Sequence, residues 1–228
     1  MKGSDTPTPG PKQSPTPERD PSPTATGVTL LLVVGLVAIV APVAMPPSYS
    51  WIRLGTSESA AQGLEGAWVT RAGFIMFGLA VLWLAGIRRR AWGKAGTFLH
   101  RGFAVSLLAV AAFSIRSWEP GADYVASEDL LHSLFATTMG ICFIAGVLTV
   151  MVARRLPGPW AALPDIAAAT IPALVSLAMS SPVWGLLQRI MFITAAAWYA
   201  REALHPPPRS MPAPRSPHNH RTGTDRGG

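Results

Sequence analysis

The stretch "SEDLLHSLFATT", residues 127–138, sets Glu128, Asp129 and His132 at the threshold of an apolar run. On a helix, residues three and four apart share a face, so either carboxylate can sit beside the imidazole. A histidine oriented by a carboxylate can act as a general base, a proton acceptor or a metal ligand. The plainer reading is a helix start. Ser127 is a suitable cap, the two acids suit the positive end of a helix dipole, and the histidine is tucked in. The surrounding elements decide between the two.

Those elements are apolar. Nearly half of the 228 residues are hydrophobic and 14% are charged, below the usual quarter of soluble domains. Six apolar runs are spaced along the chain, roughly at residues 27–44, 68–87, 97–115, 130–152, 160–180 and 183–203. Each approaches the ~20 residues that cross a ~30 Å hydrocarbon layer, and only helices satisfy their own backbone there. The first run follows a long polar segment and ends among prolines, which favours an uncleaved span over a signal peptide. The expected fold is therefore all-α: a polytopic membrane protein with six transmembrane helices at residues 27–204. Residues 1–26 and 205–228 are rich in Pro, Ser, Thr and charge and are expected to be disordered tails. His218 and His220, in the second, read as part of a solvated tail.

Charge fixes the expected orientation. The net charge of +7 lies in clusters between apolar runs and in the tail, not on one face of a polar domain, which speaks against nucleic acid. Arg88, Arg89, Arg90 and Lys94 separate spans two and three, Arg154 and Arg155 separate spans four and five, and Arg201, Arg209 and Arg215 follow span six. A six-span path puts all three clusters on one side, which is then cytoplasmic, with both termini. The loop bearing Glu119, Asp123, Glu128 and Asp129 falls outside. All eight tryptophans lie near predicted span ends, as interfacial belts require. Arginine outnumbers lysine 16 to 3, in keeping with a high-GC bacterial source and a bacterial plasma membrane.

This topology gathers polar residues at the external face. Glu58 and Glu65 lie in the first external loop, and Arg71 sits one turn into span two. Glu128, Asp129 and His132 open span four, and Gln188 and Arg189 lie one to two turns into span six. The expected polar cluster is Glu58, Arg71, Glu128, Asp129, His132, Gln188 and Arg189. Its arginines either snorkel to headgroups or pair with Asp129 or Glu128 and fasten the loops over the helix ends. On the cytoplasmic side, His100 and Arg101 read as a basic pair facing anionic headgroups. Asp165 reads as a helix-dipole residue, with a proton relay as the alternative. Cys142 stands alone, and no phosphate loop, HExxH or GxSxG motif is present.

Four segments in order carry a family resemblance: "SESAAQGLEGAWVTRAGF" at 57–74, "AAFSIRSWEPGADY" at 111–124, His132, and "GLLQRI" at 185–190. Together they resemble the multi-pass bacterial proteins grouped as domain of unknown function 998, across about residues 28–203. The second segment departs from that pattern, with Ser114 after Phe113 where the family often has proline. The resemblance implies six spans and supplies no activity. The function expected is that of a non-enzymatic membrane protein whose external cluster fastens the bundle or binds a small ligand, lipid headgroup or partner. An intramembrane hydrolase using Asp129 and His132 is the alternative, but catalytic zinc usually takes three protein ligands and only His132 lies at that face. A small transporter is the other alternative; Thr137, Thr138, Thr170 and Ser176 are its only midspan hints. No cofactor, metal or nucleic acid is expected; the bilayer is the expected partner, with a lipid headgroup or small ligand as a further candidate and protein partners left open.

Overall fold

The computed structural model describes residues 22–41, 43–154 and 159–204. Both tails beyond these bounds, with His218 and His220, and the loop residue Arg155 lie outside the described residues. Five helices follow in order: α1 (Pro23–Val40), α2 (Ala67–Ala112), α3 (Ala126–Ala153), α4 (Pro159–Ser176) and α5 (Trp184–Leu204), with a 3-10 turn at Glu58–Ala60 before α2. No strand occurs among the described residues. The first helix begins before the polar tail was expected to end. Pro23 supplies a preset φ at the first helical position, and Ser22 accepts a hydrogen bond from the Ala25 N–H at 3.2 Å. Residues 23–26 are thus helical, not tail. Ser127 is also not a cap. Val125 holds that position without a side-chain bond, and Ser127 lies inside the first turn of α3.

Spans two and three were expected to be separate helices joined by a basic loop. They are two helical limbs within α2, and what differs is the connection: a single non-helical residue, Gly93, with φ 68° and ψ 179°, stands in place of the loop. Backbone of that kind is essentially restricted to glycine. There the chain reverses. Phe77 and Phe103 stand with ring centroids 6.1 Å apart, whereas a straight helix would separate them by about 39 Å. The two limbs, residues 67–92 and 94–112, therefore pack side by side. Gly93→Ala should lower stability by about 1–3 kcal/mol, the usual cost of such backbone for a non-glycine residue. Thermal unfolding in detergent would measure it, and a wild-type midpoint would contradict the strained reversal.

Among the described residues three helices, α1, α2 and α3, are long and apolar enough to cross a membrane, and α4 contributes a shorter apolar helix at Trp160–Ser176. Their exteriors fit that character. On the first limb of α2, Ile75, Leu79, Trp83 and Ile87 recur every four residues and are all 43–49% exposed. Such a continuous apolar row is unusual on a soluble surface. The interior is aromatic, with Phe74, Phe77, Phe103, Phe143, Phe192 and Tyr199 drawn from both limbs of α2, α3 and α5. Phe103 lies 5.6 Å from Phe143, and Phe74 lies 5.7 Å from Phe192, centroid to centroid. Small residues set the helix spacing where α1 meets α2. A Cβ on Gly35 would stand 2.9 Å from the Gly73 carbonyl oxygen, so the two backbones touch.

Candidate functional site

Polar side chains collect at both ends of the bundle. The sequence reading singled out most of those at the end opposite Gly93. There Arg189, one turn into α5 and 4% exposed, points into the loop between α1 and α2. It donates to the carbonyls of Val40 (3.0 Å), Trp51 (2.7 Å), Leu54 (3.1 Å) and Gly185 (2.8 Å), and to the Tyr49 hydroxyl (2.8 Å). Its guanidinium also lies 5.9 and 6.0 Å from the Tyr49 and Trp51 ring centroids. Gly185 permits this approach, because a Cβ there would overlap the Leu54 carbonyl. The neighbouring Gln188 accepts from the Thr56 N–H at 2.6 Å and the Thr56 hydroxyl at 2.9 Å. Arg71 donates to the carbonyls of Ala60 (3.1 Å) and Ala61 (3.0 Å).

The expected pairing of these arginines with Asp129 or Glu128 is not what the structure contains. The loop between α1 and α2 interposes its own carbonyls and takes up both guanidinium groups. The carboxylates turn to the other loop. Asp129 accepts the Arg116 backbone N–H at 2.9 Å, and Glu128 accepts the Ser114 N–H at 3.4 Å. His132, 2% exposed, holds the Phe113 carbonyl at 2.9 Å through Nδ1, which is thereby its protonated nitrogen. Gln62, not singled out from sequence, links the two loops: its amide donates to Ser114 (2.7 Å) and Val125 (3.2 Å) and accepts from the Val125 N–H (2.6 Å). The seven expected residues thus form two sets, one per loop, with Gln62 between. Thr137, Thr138 and Ser176 each donate to the carbonyl four residues back on their own helix.

Glu58 is half-buried at the 3-10 turn and accepts the Gly55 N–H. Burial pushes its carboxyl above the ordinary 4.5, against the opposing pull of that N–H and of Arg189. Tyr49 beside it is raised for the same reason, burial outweighing its bond from Arg189. A raised folded-state value means that folded Glu58 holds its proton to higher pH than the unfolded chain does. Its contribution is fully present below 4.5 and is lost as pH rises through the folded value. Glu58→Gln should flatten this part of the stability profile, read by thermal melts from about pH 4 to 7. Parallel wild-type and variant profiles would contradict it.

At the Gly93 end lies a second cluster, most of it missed by sequence reasoning. Glu202 is 1% exposed and Asp165 is fully buried. Arg154 ion-pairs with Glu202 and stands 3.6 Å from Asp165, Arg201 bonds Asp165 at 2.8 Å, and Arg88 reaches Glu202 at 3.7 Å. Trp92 and Trp198 donate their indole N–H groups to Glu202 and Asp165, each at 2.8 Å. Both tryptophans are therefore core residues, where interfacial belts were expected. His100 is likewise core: its Nδ1 is 2.9 Å from the Tyr199 hydroxyl, and its ring stacks on Trp198 at 4.9 Å. Gly146 leaves room for it, since a Cβ there would stand 2.8 Å from the imidazole. The expected basic pair is thus split, with His100 inside and Arg101 exposed. Asp165 is neither a helix-dipole residue alone nor an isolated carboxyl. It joins α3, α4 and α5. Glu202 was not singled out from sequence, and Arg201 was read only as one of the cations after span six.

Among the described residues neither histidine hydrogen-bonds a carboxylate: His100 faces the Tyr199 hydroxyl and His132 the Phe113 carbonyl. Among the described residues, no three His, Cys, Asp or Glu side chains are grouped closely enough to hold a metal ion. The side chains of the two clusters join helices and loops through buried, charge-assisted hydrogen bonds. Apolar helices with lipid-compatible exteriors, stapled by polar groups at their ends, define a helical protein of membrane character. The family described as "Protein of unknown function (DUF998)" matches residues 29–205, and the chain belongs to it. No curated protein and no solved structure matches the chain.

Proposed function

We propose that this is a six-span membrane protein with both termini cytoplasmic, whose external polar cluster is a clasp that fastens the loops to the helix ends. The saturation of Arg189 carries the reading. With five protein oxygens within hydrogen-bond distance, that guanidinium is committed to holding the loop between α1 and α2, with little capacity left for a ligand. His132, Asp129 and Glu128 are likewise engaged by loop backbone, which favours fastening over hydrolysis or transport.

Charge distribution supports the topology. Among the described residues at the Gly93 end, Arg88, Arg89, Arg90, Lys94, Arg101, Arg154 and Arg201 are set against Asp165 and Glu202 alone. At the other end, Arg53, Arg71, Arg116 and Arg189 meet Glu58, Glu65, Glu119, Asp123, Glu128 and Asp129. The ion pairs among Arg88, Arg154, Asp165 and Glu202 also draw the ends of α3 and α5, the start of α4 and the reversal of α2 to one side, as a six-span path requires. A bacterial plasma membrane is the proposed location. Impermeant thiol reagents applied to intact cells should label cysteines placed at positions 58 and 123 but not at 90. Labelling at 90 with protection at 123 would invert the topology.

A further inference from the structure

On the second limb of α2, Lys94, Phe98, Arg101 and Val105 are exposed and follow one another at intervals of four, three and four. That spacing places them in one row on the helix exterior. Phe98 is 75% exposed and Val105 54%. Lys94 and Arg101 make no hydrogen bond or ion pair among the described residues, because both carboxylates at this end are buried and held by Arg88, Arg154 and Arg201. Arg101 lies about 10 Å along the axis from Lys94, further into the apolar part of the limb. An arginine facing hydrocarbon there is costly unless its charged head reaches a partner. Helical side chains lean toward the N-terminus of their helix. On this limb that direction is toward the Gly93 reversal, so Arg101 extends its guanidinium past Phe98 toward the end of the limb where Lys94 stands.

We propose that this row is a binding site for an anionic phospholipid of the cytoplasmic leaflet. Its phosphate is taken by Arg101 and Lys94, and its acyl chains lie along Phe98 and Val105. The site rests on the proposed membrane topology but involves neither the external clasp nor the buried ion pairs. Charge complementarity identifies the ligand: two uncompensated cations need an anion, and the apolar residues that flank them need chains attached to it.

The test uses the full chain in detergent micelles, with thermal unfolding followed as phosphatidylglycerol, phosphatidylcholine or inorganic phosphate is added. Phosphatidylglycerol should raise the midpoint of the wild type, and phosphatidylcholine or inorganic phosphate should not. Lys94→Gln with Arg101→Gln should require on the order of tenfold more phosphatidylglycerol for half the shift, while its midpoint in phosphatidylcholine stays that of the wild type. Arg101→Lys should retain most of the response, and Arg89→Gln with Arg90→Gln, which alters exposed cations off this row, should respond as the wild type does. An undiminished response in the Lys94/Arg101 variant would overturn the site. An equal loss in the Arg89/Arg90 variant would reduce it to diffuse surface charge, and an equal shift from inorganic phosphate would exclude a lipid. A chain that stays soluble and monomeric without detergent would instead sink the membrane reading itself.

Discussion

Replacing Glu202 with alanine is expected to destabilise the protein by about 3–5 kcal/mol, the usual consequence of deleting one partner from a buried ion pair. The carboxylate is 1% exposed and is shared by Arg88, Arg154 and the Trp92 indole. Removing it leaves two guanidinium groups in a low-dielectric interior with Asp165 as the nearest anion. Most of the loss therefore comes from keeping that positive charge buried without this carboxylate rather than from any intrinsic worth of the pair. Glu202→Gln keeps an acceptor for Trp92 but not the charge, so it should fall between wild type and Glu202→Ala. The midpoint should drop by about 10 °C for the alanine variant in detergent, using the usual scaling for a chain of this size. If Glu202→Gln matched the wild type, the charge at this position would be irrelevant.

The second large effect is expected at Arg189. Arg189→Ala removes donors from four carbonyls and a tyrosine hydroxyl at once. Bonds from a charged donor contribute about 1.5–3 kcal/mol each, but they are not additive, and water will reach some of the freed acceptors. A net loss of about 3–5 kcal/mol is expected. Arg189→Lys should recover little of it. A lysine ammonium has three donors on a point charge and cannot reproduce a planar fork aimed at several separate carbonyls. Limited proteolysis should cut the loop between α1 and α2 first in both variants. A variant with a wild-type midpoint and a protected loop would remove the clasp from consideration.

The positions of most helices were readable because apolar length is a coarse signal that survives any detail of packing. Helix ends were less so. Ser22 and Pro23 supply a start that the surrounding polar composition hid, and Gly93 supplies a stop that occupies one residue where a run of cations suggested a longer loop. The polar residues at the end opposite Gly93 were recognisable as a group because charged side chains are rare in such a chain. Their partners were not, because Arg189 and Arg71 bind backbone carbonyls, which every residue carries and which leave no mark in sequence. Trp92, Trp198 and His100 were misplaced for a related reason. Their position near a span end is the same whether they face lipid or a buried carboxylate, and only the packing of α5 against both limbs of α2 separates the two. Glu202 had no signal beyond its neighbour Arg201.

The reversal at Gly93 couples the two limbs as gears on one shaft. A long loop would let the second limb spin freely about its axis, but a single turning residue ties its rotational phase to that of the first. One residue inserted beside Gly93 would advance the second limb by about 100°. His100 would swing off Trp198, Arg101 would leave the exterior, and the aromatic ring of Phe103 would no longer meet Phe77. The apolar length of both limbs would be unchanged, yet every face of the second limb would be misdirected. In this protein the spacing of residues counted from one glycine specifies what is inside and what is outside.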